Sequence, residues 1–218
     1  DELRNMKRRA YNPKTGRTET VPANMTYDQW YKKYVKGNAQ AEAEEKSVQN
    51  AASDKKQYER YREILGKDAP KHFADFQEMK YNDPEKWRFT KLDYQRRNEL
   101  LQHPELKLPN AENAMAADAK FEKYLFGGSH PKGLAKGDAF SSRLGYDAEN
   151  WNSLKKQIIA RAPQYPALSK GVNGYGKHMY EQKIVLYGLK GTPANVVVGW
   201  SADDKSVTMA SAYIKEVK

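Results

Sequence analysis

The stretch from Lys177 to Ile214 most narrows what this chain can fold into. Residues there alternate with period two, and turn residues cut the stretch into three strands. In the first, Lys177 to Leu189, the residues His178, Tyr180, Gln182, Ile184 and Leu186 point one way. Met179, Val185 and Tyr187 point the other. Gly191-Thr192-Pro193 turns the chain into a second strand, Asn195 to Ser201, and Asp203-Asp204 into a third, Ser206 to Ile214. Turns this short join antiparallel neighbours, so the three strands form a meander.

A sheet of this kind needs a second layer, and the residues before it supply helices. From Lys136 the spacing of Ala139, Phe140, Arg143 and Leu144 is helical, and Gly145 suits the left-handed residue just past a helix end. Asp147 is placed to cap a second helix carrying Trp151, Leu154 and Ile158 on one face, until Pro163 and Pro166 break it. Gly171, Gly174 and Gly176 read as a flexible approach to the strands, and Phe121 with Leu125-Phe126 as a short strand or helix. The expected class is α+β: a helical N-terminal segment followed by a small domain of two helices and an antiparallel sheet.

The upstream part is polar and helical. Tyr11-Asn12-Pro13-Lys14-Thr15-Gly16 is a turn signature after the basic run Lys7-Arg8-Arg9. Thr26 and Gln29 form a capping box before Trp30, Tyr31 and Tyr34. Residues 37–52 lack an apolar stripe and read as linker or exposed helix, after which Ser53 is expected to cap a new helix with Tyr58, Tyr61 and Leu65 on one side. Pro70 begins a piece with Phe73, Phe76 and Met79. Asp83-Pro84 caps another, bearing Trp87, Leu92, Tyr94 and Leu100. The expected divisions are 1–52, an extended or helical segment with linker; 53–118, a helical region; and 119–218, a basic α+β domain.

Charge points to an anionic partner. The net charge is +10, and residues 120–218 carry 15 Lys+Arg against 8 Asp+Glu, a surplus of +7. There is no cysteine, hence no disulfide or thiol chemistry. No apolar run approaches the ~18 residues of a membrane span. The opening Asp1-Glu2-Leu3-Arg4 has neither a Met nor the pattern of a signal peptide, as expected of a piece of a longer polypeptide.

The residue set excludes several chemistries. No His/Cys/Asp/Glu group has metal-ligand spacing, and neither a phosphate-binding GxxxxGK[ST] loop nor a Gly-x-Ser-x-Gly elbow occurs. His72 and His103 read as surface histidines at helix ends. What remains is Ser129-His130-Pro131-Lys132-Gly133-Leu134-Ala135-Lys136, a loop feeding a helix N-terminus, together with His178 and the hydroxyls of the last strand. That set suits RNA cleavage without metal or cofactor: a base takes the 2′-OH proton, a cation stabilises the phosphorane, and an acid protonates the leaving 5′-oxygen. The same residues also fit a helix-entry loop with solvated lysines. Ser211 and Tyr213 equally fit a strand hydroxyl and a core-edge aromatic, and His178 a sheet-face residue.

Two resemblances sharpen the choice. His130-Pro131-Lys132-Gly133, Lys136, Phe140 and Leu144-Gly145-Tyr146 resemble the opening motif of a bacterial domain of the HPxGxxKAxxFxxxLGY type. Asn173-Gly174-Tyr175-Gly176 and Ser211-Ala212-Tyr213 resemble its middle and terminal blocks. That domain recurs at the C-termini of polymorphic toxins and is related to the barnase–EndoU–colicin–RelE ribonuclease fold. The resemblance implies His130 as general base or acid, Lys136 for transition-state charge, Lys132 as a phosphate contact, and Ser211 and Tyr213 as phosphate-positioning or proton-donating groups, while His178 is expected as a substrate contact from the residue set alone. Val198-Gly199-Trp200 departs from the pattern, since it lacks the hydroxyl usual before this Trp, and Ser211 stands where Thr is usual.

The front half, Tyr11 to Gly16 and Val21-Pro22-Ala23-Asn24-Met25-Thr26-Tyr27-Asp28-Gln29-Trp30-Tyr31, is similar to the tail of tailed-phage minor head proteins, as are Ser53 to Tyr58 and Tyr81-Asn82-Asp83-Pro84. Together they imply the end of a prophage minor head protein carrying a ribonuclease toxin. Its partners would be RNA, a cognate immunity protein and capsid or portal proteins. It would reside in a phage virion or bacterial cytoplasm, with the toxin acting in a target cell's cytoplasm. The alternative is a non-enzymatic virion protein binding capsid, portal or packaged DNA.

Overall fold

The computed structural model describes residues 7–12, 16–23, 26, 29 and 37–217. The chain divides into two compact units, Asp1–Gln57 and Tyr58–Lys218. In the first, β1 (Lys7–Asn12) and β2 (Arg17–Pro22) pair antiparallel with Asn12 opposite Arg17. Gly16, at φ +68°, takes the left-handed conformation that the turn signature calls for. Thr26 and Gln29 exchange the expected bonds: the Thr26 N–H donates to Gln29 Oε1 at 2.9 Å, and the Gln29 N–H to Thr26 Oγ1 at 3.3 Å. Trp30, Tyr31 and Tyr34 lie outside the described residues.

Ser53 does not start a helix. It sits inside α1 (Gly37–Leu65), 29 residues long, because after Gly37 no Gly or Pro interrupts a run rich in Ala, Glu, Gln and Lys. From Tyr58 onward this helix belongs to the second unit. There Tyr58, Tyr61 and Leu65 are buried with Ala69 and with Phe76 of α2 (Phe73–Asn82). Trp87 and Tyr94 of α3 (Pro84–Gln102) close the cluster, the Tyr94 ring stacking on Tyr61 at 4.2 Å. Asp83 caps α3 as expected, its side chain accepting from the Lys86 N–H at 3.0 Å, and His72 and His103 stand at helix ends.

The remaining residues form the α+β layer pair. Five strands, β3 (Ala114–Met115), β4 (Ala167–Val172), β5 (His178–Tyr187), β6 (Pro193–Ala202) and β7 (Val207–Ile214), lie in the order β3-β7-β6-β5-β4. The last four pair antiparallel, and β3 adds a short parallel pair at the β7 edge. Of the glycines read as a flexible approach, Gly171 lies in β4, while Gly174 and Gly176 fall in the turn that joins β4 to β5. This edge strand is exposed along most of its length, so no burial alternation marks it. A π-helical turn (Lys120–Leu125), α4 (Pro131–Leu144) and α5 (Trp151–Arg161) make the helical layer. Gly145 ends α4 at φ +77°. Asp147 does not cap α5; Asn150 occupies that position, and Asp147 Oδ1 closes the preceding turn by accepting from the N–H groups of Glu149 and Asn150.

The sheet's two faces differ. The inner face turns Ile184, Leu186, Val196, Val198, Trp200 and Met209 into an apolar core with Phe121, Leu125, Phe140, Leu144, Leu154 and Ile158. On the outer face α3 packs across β5 and β6, where Val185 and Val197 are buried. The contact there is largely ionic. Asp93, fully buried, meets Arg97 Nε at 2.8 Å and accepts from the hydroxyls of Tyr165 and Tyr187. Arg97 also reaches Asp68 at 2.7 Å, and Arg161 grips that carboxylate with both terminal nitrogens at 2.9 and 3.0 Å. Burial alone would push the Asp68 carboxyl up, but hydrogen bonds and charge from Arg161 and Arg97 outweigh it and hold it below the ordinary range. Burial, reinforced by the Asp93 charge, pushes the Tyr165 and Tyr187 phenols well above theirs.

Candidate functional site

His130 and Lys136 stand beside Tyr124, and Lys136 also reaches Tyr213 of the final strand. His130 is the residue before α4, and its carbonyl accepts from the N–H groups of Gly133 and Leu134 at 2.9 and 3.1 Å, which seats Pro131 in the first turn. The exposed His130 ring lies 5.6 Å from that of Tyr124. Lys136, nearly two turns into α4, holds its ammonium 5.7 Å from the Tyr124 ring centroid and 5.3 Å from that of Tyr213. These are cation–π distances, and they tie three separated segments together: the π-helical turn, α4 and β7. Lys132, four residues before Lys136, is exposed on the same side of α4 by helical spacing.

Two glycines make this approach possible. Gly133 and Gly137 are one turn apart, and a Cβ on either would stand 2.2 Å from the Tyr124 carbonyl oxygen or 1.9 Å from that of Leu125. The α4 backbone therefore lies directly against the π-helical turn, which brings Tyr124 between His130 and Lys136. The glycines of the HPKG motif region thus position the site without contributing chemistry to it.

Ser211 and Tyr213 share the outer sheet face. Register aligns Ser211 with Gly199 and Glu181, and Tyr213 with Val197 and Lys183. A Cβ at Gly199 would come within 2.8 Å of Ser211 Oγ. Val198, where the resemblance expects a hydroxyl, is buried in the apolar core opposite Ala212, on the other face from Ser211. Glu181, two strand spacings (about 10 Å) from Ser211 on the same face, was not singled out by sequence reasoning. Its signal was the β5 alternation, which puts Glu181 and Lys183 together opposite the buried side.

His178 is not brought to this group. It lies at the opposite end of β5, aligned with Ala202, beside a cavity of about 340 Å³ that includes Asn110, Tyr180, Asp203 and Asp204. Backbone N–H donors from Lys205 and Ser206, with the Ser206 hydroxyl, hold the Asp203 carboxyl below its ordinary range, and Lys177 pairs with it at 3.8 Å. Among the described residues no three His, Cys, Asp or Glu side chains are placed to hold a metal ion, and no helix is long and apolar enough to cross a membrane.

Comparison with known proteins finds no match among curated proteins or solved structures. Residues 107–216, half of the 218-residue chain, match a family described as a domain of unknown function, DUF6883. The match begins five residues after α3 ends and spans the whole five-stranded sheet, the π-helical turn, α4 and α5. By that match the chain belongs to the DUF6883 family.

Proposed function

We propose that the Tyr58–Lys218 unit cleaves RNA by attack of a 2′-hydroxyl on the adjacent phosphorus, and that the chain is the cargo-bearing end of a phage minor-head-type protein. The approach of His130 and Lys136 to Tyr124, with Lys136 also over the Tyr213 ring, carries this reading. Lys136 offers a fixed positive charge held between two aromatic rings, and the +7 surplus of residues 120–218 draws in a polyanion.

In the reaction, His130 takes the 2′-OH proton as the 2′-oxygen bonds to phosphorus. Lys136 offsets the charge on the non-bridging oxygens, with Lys132 holding the neighbouring phosphate. The P–O5′ bond then breaks, and a proton from the Tyr213 hydroxyl or from solvent goes to the 5′-oxygen. The products are a 2′,3′-cyclic phosphate and a 5′-hydroxyl. An imidazole whose reference pKa is ~6.5 exchanges protons readily at neutral pH. Incubating the full chain with RNA in EDTA tests this: fragments with cyclic-phosphate ends are expected, and a product carrying a 5′-phosphate would contradict the mechanism.

A second reading is a non-enzymatic virion protein that binds capsid, portal or packaged DNA. It is favoured by the bare setting of His130, whose side chain makes no capping hydrogen bond. Harmless expression of the chain in bacteria supports that reading, and toxicity relieved by His130→Ala supports the nuclease.

A further inference from the structure

Arg96 and Arg97 are neighbours on α3 with opposite surroundings. Arg97 is held by Asp93 and Asp68. Arg96 makes no ion pair among the described residues, and its Nη1 is shut away from solvent with no hydrogen-bond partner. Burial pushes this guanidinium below its ordinary pKa, and neighbouring negative charge offsets only part of that. Arg96 as a whole is part-buried, and its Nε and Nη2, which are not shut away and have no hydrogen-bond partner among the described residues, are the donors a ligand carrying anionic oxygens would meet.

Arg96 borders a cavity of about 160 Å³ between α3 and the outer sheet face, lined by Glu99, Pro166, Leu168, Glu181 and Lys183 as well. Leu168 and Glu181 are cross-strand partners, and Lys183 follows on the same face. Leu168 is 53% exposed and gives the cavity an apolar wall. A bare anion fits this lining poorly, because Glu99 and Glu181 balance Arg96 and Lys183. Ionised carboxylates only accept hydrogen bonds, so the site calls for a ligand with an anionic group and a hydroxyl donor side by side. A ribonucleotide has both.

We propose that this cavity is a ribonucleotide subsite, in which Arg96 and Lys183 hold a phosphate and Glu181 accepts a hydrogen bond from the adjoining ribose 2′-hydroxyl. The proposal rests on the RNA reading above and deepens it. Lys183 and Tyr213 share a register row on the outer face about 10 Å apart, two strand spacings, with Val197, buried under α3, between them. The 2′-hydroxyl contact makes the cavity the place where RNA is told from DNA.

Calorimetry on the full chain with adenosine 3′-monophosphate, which has no bond for this reaction to cut, tests the subsite apart from cleavage. The ribonucleotide is expected to bind about tenfold more tightly than 2′-deoxyadenosine 3′-monophosphate, the scale of one hydrogen bond to a charged group. Arg96→Gln and Lys183→Gln are each expected to weaken it about tenfold or more, with unchanged thermal unfolding of the Lys183 variant showing that folding is intact. Glu181→Ala is expected to erase the preference for ribose. Equal affinity for the two nucleotides in the unsubstituted chain, or affinity unchanged by both Arg96→Gln and Lys183→Gln, overturns the subsite. A chain that passes this test yet leaves RNA intact refutes cleavage alone. One that cuts RNA yet fails it refutes the subsite alone.

Discussion

The two faces of the sheet are sealed by different physics. Inside, Trp200, Phe140, Phe121, Leu154 and Ile158 close a dry core in which the polar Trp200 Nε1 is satisfied by Gln182, itself tied to the carbonyls of Ala162 and Tyr165. Outside, α3 is fastened by a buried cluster of two carboxylates, two guanidinium groups and two phenols. Apolar burial is non-directional, whereas a buried ionic cluster depends on hydrogen-bond geometry and is left with an uncompensated charge when one member is lost. The outer helix is therefore held in one register, and the Arg96 cavity at its edge inherits that register.

The largest effects should come from breaking each seal separately. Asp93→Ala leaves Arg97 with a single carboxylate and strands two phenolic hydroxyls, and is expected to cost about 3–5 kcal/mol in urea unfolding. Trp200→Ala on the inner face should cost a similar ~3–5 kcal/mol by opening a cavity. The distinction lies in pH. Asp68 has a depressed carboxyl, so the stability it contributes is present above the unfolded value near ~3.9 and is lost as pH falls through the lower folded value. Tyr165 and Tyr187 have raised phenols, so their contribution is present below about 10 and is lost as pH rises beyond it. Trp200→Ala should lower the whole stability–pH curve evenly, whereas Asp68→Asn should flatten its acid limb. Matching curves for the two variants would erase the contrast between the faces.

Smaller effects sharpen it at the site. Gly137→Ala would drive a methyl into the Leu125 carbonyl, and is expected to cost about 1–3 kcal/mol while pushing Lys136 away from Tyr124 and Tyr213. Tyrosine fluorescence or aromatic NMR shifts would register that displacement, and unchanged spectra would mean the glycine seam does not set the site. Gly199→Ala meets only the rotatable Ser211 Oγ, so a loss below ~1 kcal/mol is expected, largely recovered in the double variant with Ser211→Ala.

Parts of this architecture were legible in the residues. The alternation of Gln182, Ile184 and Leu186 against Val185 and Tyr187 named both faces of β5, because a half-buried strand writes its burial with period two. Gly145 and Asp83-Pro84 marked helix ends through local backbone chemistry, which needs no tertiary context. β4 was hidden because Leu168, Ser169, Lys170 and Val172 at an exposed edge carry no burial signal. The single span of α1 was hidden because a helix without an apolar stripe resembles a linker. Asp93 and Arg97 sit four apart like any surface ion pair, and only the fold turns them inward. At the site, His130, Lys136 and Tyr213 followed from residue type and resemblance. Arg96 carries no mark in the sequence that separates it from its neighbour, since pairing depends on which side of α3 meets Asp68.

The most direct test of the account is RNA cleavage by the full chain in EDTA, compared between the unsubstituted protein and His130→Ala. The account predicts 2′,3′-cyclic-phosphate products from the first and a rate about 10²–10⁴ lower for the second, the range of a lost proton-transfer group. Intact RNA from both, or equal rates from both, would contradict it.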